Sequence, residues 1–126
     1  MSTILIIDDD PKLRATLEKI LVGRGHAVTT VEGGFEAAQS YREHPFDLVL
    51  TDLLMPQSGL SVIRVLRSQF PGVRVIAMSG GGGQRLDYAK GLGANFTLAK
   101  PFSTEELLAA VDQTLASGRG EPGKPG

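Results

Sequence analysis

The sequence predicts an α/β fold in which five parallel strands alternate with five helices. Short apolar runs rich in Ile, Val and Leu recur along the chain, as in residues 4–7, 48–50 and 75–78. Such runs are typical of strands buried on both faces of a parallel sheet. Between them, apolar residues recur at helical spacing. Regular alternation of these two patterns predicts right-handed crossovers, with helices on both faces of the sheet.

The first half of the chain contains three predicted strands and two predicted helices. The strands are expected at residues 3–7, 26–31 and 47–52. Asp10 and Pro11 suit an N-cap followed by a first-turn proline, so helix one should begin there and end at Gly23 or Gly25. A weaker helical pattern extends from Gly33 to about His44.

The second half continues the alternation with three helices and two strands. Apolar residues at helical spacing mark helices around residues 60–70, 86–92 and 107–115. The strands are expected at residues 73–78 and 95–99. Ser103 and Glu106 have the spacing of a capping box, which predicts the start of the last helix.

Length and composition indicate one globular domain. The chain has 126 residues, of which 41% are hydrophobic, enough for a substantial core. We expect the domain to cover residues 1–117. Residues 118–126 are rich in Gly and Pro and lack an apolar anchor, which predicts a disordered tail.

Several classes of function are disfavoured by composition. The 13 basic and 14 acidic residues leave a net charge of −1, which gives no electrostatic case for binding nucleic acid or a membrane surface. The absence of cysteine excludes disulfides, zinc thiolate sites and thiol catalysis. The sequence shows no signal peptide or membrane-spanning run, so a cytoplasmic location is expected.

Polar side chains end or directly follow four of the predicted strands. They are Asp8, Asp9, Asp52, Ser79 and Lys100. Because ligands bind at the carboxyl ends of strands in open α/β sheets, these groups should converge on one pocket. Three carboxylates, a hydroxyl and an ammonium together suggest a divalent metal and a phosphoryl group.

Four motifs at these strand ends resemble the receiver domain of two-component response regulators. They are DDDP at residues 8–11, TDLLMP at 51–56, MSG at 78–80 and KPFS at 100–103. Their order and spacing fit the family from residue 3 to about 117. The resemblance implies the flavodoxin-like strand order 2-1-3-4-5. It also implies phosphorylation by a histidine kinase or a histidine phosphotransfer protein, and signalling to a downstream output protein.

The resemblance assigns Asp52 as the phosphoacceptor and places Mg²⁺ beside it. Asp9 and Asp52 are expected to bind the metal directly, Asp8 mainly through water, and Leu54 through its backbone carbonyl. This set suits Mg²⁺, which keeps several waters and takes one or two carboxylates plus a phosphate oxygen. Asp10 is expected only to cap the first helix.

Three more residues are expected to contact the phosphoryl group. Lys100 should pair with Asp52 and then with a phosphoryl oxygen, and Ser79 should donate its hydroxyl. The Gly80 amide is a further expected contact, within a four-glycine run that also suits a flexible loop. The family further implies a cis bond between Lys100 and Pro101.

One position departs from the family pattern. Many receivers have an aromatic switch residue three positions before the lysine, where this chain has Thr97. The neighbouring Phe96 should point to the opposite face of the strand, because side chains alternate along it.

Three alternatives differ in class from a phosphorylated switch. A pseudo-receiver would be an interaction module that never takes phosphate, but every required side chain is present. A Mg²⁺-dependent phosphohydrolase resembling the haloacid dehalogenases would have its nucleophile on strand one in an Asp-x-Asp context, and would need a cap domain that is missing. A flavin-binding module would need a phosphate loop after strand one. We therefore expect a signalling domain rather than a conventional enzyme.

Overall fold

A computed structural model describes residues 2–53, 59–80 and 83–116 of the chain. Five parallel strands form one sheet in the order β2-β1-β3-β4-β5. The strands are β1 (Thr3–Ile7), β2 (Ala27–Val31), β3 (Leu48–Asp52), β4 (Val75–Ser79) and β5 (Phe96–Ala99). The predicted fold class and strand order are confirmed.

One helix follows each strand within the described ranges. The helices are α1 (Pro11–Gly23), α2 (Gly34–Glu43), α3 (Gly59–Gln69), α4 (Gly83–Gly91) and α5 (Thr104–Ala116). Gly25 and Gly93 lie just beyond α1 and α4 with φ angles of 98° and 111°, a region that favours glycine. None of the helices in the described ranges is long and apolar enough to cross a membrane. The expected tail, residues 118–126, lies outside those ranges.

The strand boundaries agree with the sequence prediction to within two residues. The largest difference is at β4, which begins at Val75 instead of residue 73 and includes Ser79. The Arg74 guanidinium donates hydrogen bonds to the carbonyl oxygens of Asp47 and Leu115, at 2.8 and 2.9 Å. Val73 and Arg74 are both buried, although they lie in a connection before β4 that looks like part of the strand in the sequence alone.

Alternate residues of the central strands supply two separate cores. One lies under α2, α3 and α4 and includes Leu5, Ile7, Val49, Val75 and Ala77. The other lies under α1 and α5 and includes Ile4, Ile6, Leu50, Ile76 and Met78. Both faces of the sheet are thus covered, which leaves its carboxyl edge as the place where polar strand ends meet.

Two predicted helix starts are confirmed, and both lie next to that edge. The Asp10 side chain accepts hydrogen bonds from the backbone N–H groups of Lys12 and Leu13, at 2.9 and 3.4 Å. Ser103 and Glu106 form the reciprocal capping box before α5, each bond being 3.0 Å long. These caps begin α1 and α5 within a few residues of the strand-end acids and lysine.

Candidate functional site

Four elements bring the predicted site residues to the carboxyl edge of the sheet. Asp8 directly follows β1, Asp52 and Ser79 are the last residues of β3 and β4, and Lys100 follows β5. Asp8, Asp52 and Ser79 are 0%, 4% and 1% exposed. Acidic and hydroxyl groups with so little solvent contact need neighbouring polar or charged partners.

Lys100 provides a cation to two buried carboxylates. Its Nζ lies 3.4 Å from Asp52 Oδ1 and 3.5 Å from Asp8 Oδ2. The sequence led us to expect the first of these ion pairs but not the second. The Lys100 backbone N–H donates to the Ser79 carbonyl at 2.9 Å, which ties the ends of β4 and β5 together. The Lys100–Pro101 peptide bond is cis, as expected.

Asp8 is held from several directions. Its Oδ1 accepts a hydrogen bond from the Asp10 backbone N–H at 2.9 Å, and its own N–H donates to the Val31 carbonyl at 3.2 Å. Burial raises the pKa of the Asp8 carboxyl above its ordinary value, and the nearby Asp52 charge adds to this effect. The Asp10 N–H and the Lys100 ammonium oppose the rise in pKa.

The acid cluster has the donor set of a hard divalent cation. Asp8, Asp9 and Asp52 each offer one carboxylate oxygen, and the three atoms lie within 4.8 Å of one another. Asp9 is exposed, so the cluster is open to solvent on its side. Asp8 Oδ2 is buried without a hydrogen bond in the described part of the chain. Oxygen donors with an open side suit Mg²⁺, which retains water ligands.

Two further predicted contacts are less constrained by the structure. Gly80 is exposed, and a Cβ atom there would lie 3.6 Å from Lys100 Cβ, an ordinary van der Waals distance. Packing therefore does not require glycine at this position, and its phosphoryl contact stays a prediction. Leu54, the expected carbonyl ligand, lies outside the described residues, as do residues 81 and 82 of the glycine run.

The side chains of Phe96 and Thr97 are divided between the two faces of the sheet as predicted. Phe96 packs against the core under α1 and α5. Thr97 pairs in register with Ala77, whose side chain belongs to the opposite core, under α4. No aromatic side chain therefore extends from β5 toward α4.

Arg14 is a site residue that the sequence analysis missed. Its Nη1 donates a hydrogen bond of 2.7 Å to the Asp8 carbonyl oxygen, although Arg14 lies six residues further along the chain. The contact depends on how α1 packs against the end of β1, and no local sequence motif predicts it.

Comparison with known proteins decides the family. The response regulator receiver domain model matches residues 4–112. The chain belongs to this family. Two relatives of this receiver domain are the chemotaxis protein CheY of Bacillus subtilis and the DNA-binding response regulator MtrA of Mycolicibacterium smegmatis. CheY is 34% identical over 115 residues, which are 89% of this chain and 96% of CheY. MtrA is 37% identical over 122 residues, which are 94% of this chain. This receiver spans about half the length of MtrA, 53%.

Solved receivers have the same fold. A putative response regulator from Chloroflexus aurantiacus superposes with a TM-score of 0.86 at 30% identity, covering 91% of this chain and 98% of that one. The response regulator TrrA from Thermotoga maritima, solved in complex with Mg²⁺-BeF, gives a TM-score of 0.83 at 30% identity. That match covers 90% of this chain and 99% of TrrA.

Proposed function

We propose that this receiver accepts a phosphoryl group on Asp52, in a Mg²⁺-dependent reaction, from a histidine kinase or a histidine phosphotransfer protein. One observation supports this most directly. The buried Asp52 carboxylate lies beside the oxygens of Asp8 and Asp9 and 3.4 Å from the Lys100 ammonium. A nucleophile, acidic metal ligands and a cation for phosphoryl oxygens are therefore together at one edge.

The proposed reaction is an in-line displacement at phosphorus. An Asp52 carboxylate oxygen forms the new P–O bond while the P–N bond to the donor imidazole breaks, and the electron pair stays on the departing nitrogen. Bound Mg²⁺ would offset the negative charge of the carboxylates and the incoming phosphoryl oxygens. Asp8 and Asp9 would hold it, together with Asp52 and the Leu54 carbonyl.

Lys100 and Ser79 are the proposed phosphoryl ligands. The Lys100 ammonium faces both buried acids, so a phosphoryl oxygen on Asp52 would replace one carboxylate as its partner. The Ser79 hydroxyl, at the end of the neighbouring strand β4, would donate to a second oxygen. The Gly80 amide would reach a third.

The role of the domain is signalling rather than metabolic catalysis. Receiver domains act by interaction, and we propose that phosphorylation changes the shape of this one and alters its contact with an output protein. We further propose that the receiver works in the cytoplasm, without a nucleic-acid or membrane contact of its own. Small phosphodonors should also label it through the same site. The match to a Mg²⁺-BeF complex of TrrA supports the choice of metal.

Intact mass spectrometry tests the proposal. Acetyl phosphate with Mg²⁺ should add one phosphoryl mass to the wild type and none to Asp52→Asn. Asp112→Asn is a matched control, because Asp112 is an exposed acid on α5 paired with Arg24 at 2.7 Å. It should be labelled like the wild type. An unlabelled wild type would favour the pseudo-receiver alternative, which no observation otherwise supports. Equal labelling of Asp52→Asn would mean a different phosphoacceptor.

A further inference from the structure

Arg14 holds the peptide that joins the two adjacent acids of the candidate metal site. Arg14 Nη1 lies 2.7 Å from the Asp8 carbonyl oxygen, a short bond from a charged donor. The side chain is 17% exposed, so it is largely removed from water. The Asp8 carbonyl belongs to the peptide group that precedes Asp9. A fixed orientation of this peptide also restricts the direction in which the Asp9 side chain projects from the backbone.

Asp9 depends on this backbone bond more than Asp8 does. The Asp8 carboxylate has its own restraints, from the Asp10 N–H at 2.9 Å and the Lys100 ammonium at 3.5 Å. The exposed Asp9 carboxylate makes no hydrogen bond or ion pair with any residue in the described ranges. Its position is therefore set by its backbone.

Arg14 is itself anchored in the first turn of α1. Its backbone N–H donates to the Asp10 carbonyl at 3.0 Å, which closes the first helical turn after the Asp10 cap. The guanidinium also reaches Glu32, after β2, at 3.8 Å, but the Glu32 side chain is 78% exposed. Exposed ion pairs contribute little, so the carbonyl bond is the stronger restraint.

We infer that Arg14 is a positioning residue for the metal site, acting through the Asp8 carbonyl to hold Asp9 in place to bind Mg²⁺. The inference builds on the proposed Mg²⁺-dependent function. Groups that orient metal ligands typically change metal affinity by about 10- to 100-fold when removed. Arg14 would orient its ligand through the backbone instead of through a side chain.

Whether the loss of Arg14 weakens or strengthens Mg²⁺ binding separates a positioning role from a purely electrostatic one. Arg14 is a cation near a site for another cation, so Coulomb repulsion alone would make its removal strengthen Mg²⁺ binding. Loss of the positioning bond would weaken binding instead. A role in folding alone would lower the melting temperature and leave the dissociation constant of the folded protein unchanged.

Isothermal titration calorimetry with MgCl₂ alone tests the inference by measuring the Mg²⁺ dissociation constant of each variant. Melting temperatures in EDTA show separately whether each variant is folded. Arg14→Met should weaken Mg²⁺ binding by about 10-fold or more. Arg14→Lys, which keeps the charge and one donor, should recover part of the loss. Lys12→Met, an exposed change in the same turn, and Glu32→Gln should stay within about twofold of the wild type.

The outcomes are distinguishable from failure of the proposed function. If the wild type does not bind Mg²⁺, the proposed function fails, and this inference fails with it. If the wild type binds and Arg14→Met binds equally or more tightly, the inference alone is overturned. An equal loss in Glu32→Gln would also overturn it, because the bridge to Glu32 would then matter instead of the carbonyl bond. If Arg14→Met does not fold, Arg14→Lys decides: it should bind Mg²⁺ more weakly than both the wild type and Lys12→Met, and binding as tight as the wild type would overturn the inference.

Discussion

Asp8 and Asp9 are neighbours in the chain and yet occupy opposite environments. Asp8 is fully buried beside Lys100 and Asp52, whereas Asp9 is exposed at the rim of the cluster. A buried carboxylate loses much of its hydration and depends on the fixed charges around it. An exposed one keeps its hydration until a metal replaces some of the water. The two acids should therefore contribute differently to stability and to metal binding.

Asp9 and Asp10 should differ in their effect on Mg²⁺ affinity. If Asp9 is the charged ligand that we propose, Asp9→Asn should weaken binding by about 10-fold or more. Asp10→Asn should stay within about twofold of the wild type, because the Asp10 carboxylate caps α1 and Asn caps about as well. Calorimetric titration of the two variants makes the comparison. Similar losses in both would contradict the assignment of Asp10 as a cap alone.

The sequence predicted which residues meet at the site but not how they are held. Convergence of Asp8, Asp52, Ser79 and Lys100 follows from strand ends in a parallel sheet, which is a property of the pattern. The contact of Lys100 with both acids depends on the reach of its side chain across β1 and β3. The Arg14 bond depends on the angle at which α1 packs. Neither distance has a counterpart in residue spacing.

Helices α4 and α5 flank β5 and differ in how firmly the core holds them. Helix α5 buries Leu107, Ala110, Val111 and Thr114. The side chains described for α4 include one buried residue, Ala89, and a partly buried Leu86. Fewer buried apolar contacts allow easier local displacement. Since α4 follows Ser79 and a run of glycines, it is the element best placed to respond to a change at the site.

Phosphorylation should therefore change the structure mainly at α4, and it should do so without an aromatic switch residue on β5. Thr97 is too small to fill the volume that a ring would vacate. We expect the largest amide NMR shift changes at residues 79–92 and around Lys100. In Ser79→Ala the changes near Asp52 should persist while those in α4 decrease, because the hydroxyl link to the phosphoryl group is lost. Largest changes in α1 or α2 would rule this mechanism out.

Element boundaries show where sequence patterns are sufficient and where they are not. Apolar runs located the central strands β1, β3 and β4, because strands buried on both faces require such runs. Strands β2 and β5 are partly exposed, and the alternation of strands and helices located them as well. Strand β4 begins two residues later than the apolar pattern predicts, because Val73 is as apolar as the strand residues and extends their run. Its carbonyl instead accepts a hydrogen bond from Arg67 Nη1 at 2.9 Å. The Val73 carbonyl is therefore bonded to a side chain instead of a neighbouring strand, and a hydrophobicity pattern cannot predict this contact.

At the scale of the whole molecule, we expect the acid cluster to lower the stability of the metal-free protein. One carboxylate oxygen each of Asp8, Asp9 and Asp52 lies within 4.8 Å of the other two, and the Lys100 ammonium lies beside Asp8 and Asp52. When all four groups are ionised, negative charge remains in a largely buried cluster. Binding of a divalent cation to the folded state alone would offset this cost and stabilise the fold by mass action. Stability and metal binding should thus be coupled through the same carboxylates.

Asp8 gives that coupling a defined dependence on pH. Burial raises the pKa of its carboxyl in the folded state above the ordinary value of 3.8. At pH values between this ordinary pKa and the raised pKa of the folded state, the folded state binds more protons than the unfolded state. The free energy of unfolding must therefore fall as pH rises through this interval. The loss is complete once pH exceeds the folded-state pKa of Asp8.

Asp8→Asn should remove this dependence and stabilise the metal-free fold at neutral pH. Asn can still accept the Asp10 N–H bond, while Lys100 keeps Asp52 as its partner. In EDTA at pH 7, the variant should exceed the wild type in free energy of unfolding by on the order of 1 kcal/mol. Urea titrations from pH 4 to 7 should show this difference growing with pH, whereas Asp112→Asn should give a flat difference. With Mg²⁺ the wild type should recover more than the variant. A variant less stable than the wild type in EDTA at pH 7 would show that the Asp8 charge is compensated within the fold, without metal.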